Sequence, residues 1–177
     1  MSDPNADKPD LDDATIAFAG RVFQHARAGE TAELQALLDL GLPANLRNDK
    51  GDSLLMLASY NGRAETTAAL LKAGADPDLA NDRGQTPLAG AAFKGDTAVV
   101  RVLLDGGAAV DATAPDGRTA LMIAAMFNRM DVVDMLLEAG ADPARTDAAG
   151  QSAETVARAM GAADTPARIA AAIAAKS

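Results

Sequence analysis

"GQTPLAGAAFKGD", residues 84–96, has a near-copy on either side: "GDSLLMLASYNGR" at 51–63 and "GRTALMIAAMFNR" at 117–129. Each copy opens 33 positions after the last (51, 84, 117). A catalytic site is built once, so a phrase spoken three times describes architecture. The rest of the chain keeps the same step. Glycines recur at Gly51, Gly84, Gly117 and Gly150, and again at Gly41, Gly74, Gly107 and Gly140. Leucine pairs fall at Leu37-Leu38, Leu70-Leu71, Leu103-Leu104 and Leu136-Leu137, and both members of a pair are expected in the core.

A third column gives the local geometry: Gly29, Gly62, Gly95, Asn128, Gly161. The one substitute for glycine is asparagine, which tolerates a left-handed backbone better than other side chains. Each of these residues follows one short apolar helix and precedes another, so the column predicts a helix-ending left-handed turn. In the clearest copy Thr86 is the expected N-cap, with Pro87 at the first helical position and a helix to about Lys94. Asp96 then caps a second helix ending near Asp105, and Gly107 closes it. Helices of about ten residues are marginal alone in water, so stacking on neighbouring copies must stabilise them. The ends depart from the pattern. Phe18 stands where other copies open with glycine, and Asp12-Asp13 are read as the cap and first turn of an early-starting helix. At the other end "TPARIAAAIAAK" predicts a single alanine-rich helix, capped by Thr165 with Pro166 in its first turn.

Composition agrees with this reading. Apolar residues make up 49% of the 177 but aromatics only 3%, which favours closely packed helices over a sheet sandwich. The net charge of −9 disfavours nucleic acid and anionic membrane, both of which reward clustered Lys and Arg. Without cysteine there is no disulfide, thiolate nucleophile or Cys-ligated zinc. The opening "MSDPNADKPDLDD" lacks the basic and apolar stretches of a secretory leader, and no segment has the apolar length to span a bilayer. A cytoplasmic protein is expected.

The phrases "GQTPLAGAAFKGD", "AVVRVLLDGGAAVDA" and "GRAETTAALLKAGADPDLA" resemble ankyrin repeats, in one register over residues 15–177, and in particular the short ankyrin-repeat proteins of bacteria. The resemblance implies a mainly α solenoid of stacked helix-turn-helix units with projecting hairpin-like loops. Its expected divisions are an acidic disordered tail (1–12), an N-capping repeat (13–50), internal repeats (51–83, 84–116, 117–149) and a C-capping repeat (150–177). One departure stands out. The family's "TPLH" histidine is replaced by Met56, Ala89 and Met122, so apolar packing is expected in place of an inter-repeat hydrogen bond.

Chemistry is sparse. The one histidine, His25, is either a general base or a stray substitution against the second helix, and no nucleophile turn adjoins it. "GDTAVV" and "GDSLLM" lack a phosphate-loop or dinucleotide pattern, and no metal-ligand spacing is present. Neither cofactor nor metal is expected, and the chain is read as non-enzymatic. The resemblance implies that the first helix of each unit lines a concave groove, with loop tips beside it. Two columns flank the left-handed turns: Arg27, Tyr60, Phe93, Met126, Ala159, and Ala28, Asn61, Lys94, Phe127, Met160. They hold the single tyrosine and two of the four phenylalanines. Two readings stay open: an exposed apolar stripe, or side chains filling gaps between alanine-rich helices. On the first, Tyr60, Phe93, Met126 and Phe127 form the grip, and Asp52, Gln85, Arg118, Asp82, Arg83 and Lys94 its polar rim. The expected function is a monomeric scaffold that binds another protein. The family resemblance offers a narrower version, an accessory or inhibitory subunit of an enzyme such as a catalase. A self-associating structural protein is a third class.

Overall fold

Short helices in pairs account for nearly all regular structure in the computed structural model, which describes residues 12–176. The expected tail at 1–12 lies outside the described residues except for Asp12. The pairs are α1 (Asp13–Ala28) with α2 (Thr31–Asp39), α3 (Leu54–Tyr60) with α4 (Ala64–Lys72), and α5 (Pro87–Lys94) with α6 (Thr97–Asp105). Then come α7 (Ala120–Met126) with α8 (Met130–Glu138), and α9 (Ala153–Ala159) with α10 (Thr165–Lys176). First helices pack in a row, α1 on α3 on α5 on α7 on α9, and second helices form a parallel row behind them. This is an ankyrin-type solenoid. Between pairs run hairpin-like loops held by single antiparallel bridges, Arg47 with Ser53, Thr113 with Thr119 and Thr146 with Ser152.

The caps follow from residue chemistry. Ser53, Thr86, Thr119 and Ser152 each accept from the amide three residues on, at 3.0–3.3 Å. Asp96 does the same for Val99 at 3.1 Å. Asp12 accepts from the Thr15 amide at 2.7 Å, and its hydrogen bonds to Thr15, side chain first and backbone second, hold its carboxyl below the usual carboxylate range. The turn column has φ of +81°, +72°, +76°, +53° and +72° in order, and Asn128 is the one non-glycine with positive φ among the described residues.

Three local expectations need correction. Of each internal leucine pair only the first is fully buried: Leu70, Leu103 and Leu136 are at 0% exposure, while Leu71, Leu104 and Leu137 are half-buried at the edge of the core. A pair of adjacent helical residues points about 100° apart, so both cannot face one neighbour equally. Thr165 is the first residue of α10 rather than its cap. The Arg168 amide reaches back to the Asp164 carbonyl, and the Thr165 hydroxyl instead donates to the Ala125 carbonyl at 2.7 Å, joining two repeats. Asn128 is more than a turn residue. Its side-chain oxygen accepts from the Asp164 and Thr165 amides at 3.0 and 3.2 Å, and its amide donates to the Asp164 carboxylate at 3.0 Å. Where the family histidine is missing, Met56, Ala89 and Met122 are buried, as apolar substitution requires.

Candidate functional site

Inner helices end one or two residues before a left-handed turn, which brings the side chains around their ends to the rim. Tyr60 closes α3, Phe93 is the last residue but one of α5, and Phe127 caps α7; they are 42%, 37% and 39% exposed. Met126 differs from its column mates, being partly buried against the core. The helix is one residue shorter at α7 than at α5, and Phe127, not Met126, meets the next ring. Phe93 and Phe127 lie edge to face with centroids 4.7 Å apart. Tyr60 lies close over α5 because Gly90 presents no side chain: a Cβ there would stand 3.2 Å from the Tyr60 ring. Lys94 Nζ sits 4.8 Å from that ring's centroid, a cation–π contact.

These rings line a cavity of about 650 Å³ between the inner helices and the hairpins. Of the ten residues singled out in the sequence, Asp52, Tyr60, Arg83, Gln85, Phe93, Arg118, Met126 and Phe127 all face it. Lys94 lies just beyond, on a second depression of about 590 Å³ that shares Tyr60 as a wall. Asp82 lies outside, paired with Arg47 of the preceding loop at 3.1 Å. Reading the sequence missed the opposite wall, Ala114, Pro115 and Ile123. A signal was available. In the column Asn48, Asn81, Ala114, Asp147 the polar members each accept two backbone amides of their own hairpin, and alanine cannot. Asn81 also donates to Asp52 of the previous loop at 2.9 Å. Ala114 has no such side chain to offer Gln85, and the cavity opens at that break in the loop network.

Polar groups in the cavity are mostly committed. Asp52 accepts from Asn81 and, at 3.4 Å, from Asn48. Asp116 accepts from the Arg118 amide at 3.1 Å. The Arg118 Nε is buried without a hydrogen bond, 3.5 Å from Asp116 and 3.9 Å from the buried Asp147. Its guanidinium is therefore placed between two carboxylates. His25 pairs with Glu30 of its own turn, in the N-terminal repeat. Among the described residues no three potential metal ligands converge, and no helix is long and apolar enough to cross a membrane.

Comparison with known proteins bears on the family. The model of ankyrin repeats, in three copies, covers residues 55–147. An ankyrin repeat protein of Pseudomonas aeruginosa is 56% identical over 59 residues. That alignment takes in 33% of this chain and 34% of the relative, so the two are matched over about a third of their lengths.

Proposed function

The chain belongs to the ankyrin-repeat family, and on that premise we propose that it is a non-enzymatic scaffold that grips a partner protein in the groove between its inner helices and hairpins. Ankyrin repeats generally mediate protein–protein interaction, and their proteins are typically interaction modules rather than enzymes. One observation carries the narrower reading. In a chain with one tyrosine and four phenylalanines, three aromatic rings stand partly exposed along one cavity and are not folded back into the core. Aromatic side chains in a recessed, rimmed site are where binding energy concentrates.

The test is affinity capture from native extract with the wild type and two variants. Phe93→Glu should reduce capture at least about tenfold, some 1.4 kcal/mol, with an unchanged helical circular-dichroism spectrum. Arg101→Glu, on the exposed side of α6, should leave capture unaltered. Capture that survives Phe93→Glu but disappears when Arg83 and Lys94 are changed moves the site to the loop tips. Capture unaffected by either substitution overturns the groove reading.

A further inference from the structure

The groove is less acidic than the whole chain. The protein carries −9, yet the lining residues Asp52, Arg83, Asp116 and Arg118 sum to zero. Both lining carboxylates already accept hydrogen bonds from the hairpins, and Arg118 faces Asp116 and Asp147. Arg83 is exposed, and among the described residues its guanidinium has no ion pair or hydrogen bond. Lys94 is exposed, and among the described residues its ammonium is engaged by the Tyr60 ring alone. The uncommitted charge around the aromatic floor is therefore cationic, and it is distributed at two ends. Arg83 stands on the hairpin before α5, and Lys94 ends that helix, so the whole length of α5, about 10 Å at 1.5 Å per residue, lies between them and the hairpin adds to it.

We infer that the occupant of this groove is an acidic partner segment, with a bulky apolar side chain set between two carboxylates. The apolar group sits against Phe93 and Phe127, one carboxylate meets Arg83, and the other meets Lys94. The inference rests on the groove reading above and adds the chemistry of the ligand. An extended segment covers about 10 Å in three residues, so its two acids would stand at least three positions apart with the anchor between them. A basic segment would leave both cations facing like charge, and a neutral one would leave them unpaired.

The experiment is selection from a random peptide library on the intact chain, with Phe93→Glu as counter-selection. Peptides that depend on Phe93 should carry Asp or Glu on both sides of a bulky apolar residue. Their affinity should fall at least tenfold on Arg83→Glu/Lys94→Glu, a double variant whose substitutions are both at exposed positions. Replacing the peptide's acids by lysine should restore binding to that double variant. Phe93-dependent peptides that are neutral or basic at the flanks overturn the acidic class while leaving the groove reading intact. Peptides bound independently of Phe93 overturn both. A library that yields no Phe93-dependent binder overturns this inference, while the capture experiment still decides the groove reading on its own.

Discussion

At the turns between helices, glycine and asparagine occupy the same backbone region but carry different burdens. Gly95 has φ +76°, and a Cβ there would stand 2.8 Å from Arg129 Cδ, the flexible stem of a side chain whose Nε donates to the Phe93 carbonyl at 3.2 Å. Gly95→Ala should cost about 1–2 kcal/mol, mostly from the left-handed backbone. An unchanged urea midpoint would refute the strain. Asn128 at φ +53° tolerates the turn and also holds the start of α10 through three hydrogen bonds. From the turn alone, Asn128→Gly would be neutral or slightly favourable. With the bonds known, it should destabilise by about 1–3 kcal/mol, since two amides lose their acceptor. The turn was legible because positive φ filters residue types in any context. The second duty was hidden, because a hydrogen bond across 36 positions leaves no mark on Asn128 itself. Leu103 and Leu104 differ in the same way: one sequence pattern, two depths. Truncation to alanine should cost about 2–5 kcal/mol at Leu103, which is wholly buried, and clearly less at Leu104. Equal losses in urea unfolding would contradict the assigned core face.

Elements were largely readable from caps and period, since serine, threonine and aspartate at N-termini act locally. The hairpins were less so. Their strength lies in the asparagine or aspartate two and four residues before the amides it accepts, and in how one loop leans on the next. Ala114 breaks that series, and the backbone around it is otherwise the same: its amide donates to Arg118 O, as Asn81 donates to Gln85 O, both at 3.0 Å. Ala114→Asn should therefore place an acceptor over the amides of residues 116 and 118. The Arg118 amide already bonds to Asp116, so the net gain is about one to two hydrogen bonds, roughly 0.5–1.5 kcal/mol each. For a chain of this size each kcal/mol raises the melting temperature by about 2–4 °C. A lower melting temperature would mean that the third loop needs its alanine for geometry. The groove's aromatic floor was visible as a column, but which members stay exposed was not. Tyr60 and Met126 hold the same place at the ends of α3 and α7, yet Tyr60 is exposed and Met126 packs against the core, while Phe127 stands at the rim against Phe93.

Across the whole molecule each pair of helices leans on its neighbours, and the hydrophobic core is continuous from Val22 to Ile169. Stability in such a stack is a sum of weak units and the interfaces between them, so damage at one end should spread with decreasing effect. The C-terminal cap offers the clearest test. α10 packs on α9 and reaches back to α7 and α8. It contributes the wholly buried Ile169, the Thr165 bond to Ala125, and an ion pair from Arg168 to Asp134 at 2.6 Å. The ion pair is partly solvated and adds little, so the apolar side chain and the buried hydroxyl bond carry most of the effect. A chain ending at Asp164 exposes the faces of α7, α8 and α9 that α10 covers, and leaves the packing of α1 to α5 on one another in place. Amide hydrogen exchange should then accelerate most in α9, next in α7 and α8, and least in α1 and α2, the pair furthest from α10. Acceleration by the same factor in all helices would show that the stack opens as one unit. It would also mean that Val22 and Ile169, at opposite ends of the core, report a single global free energy and no local interface.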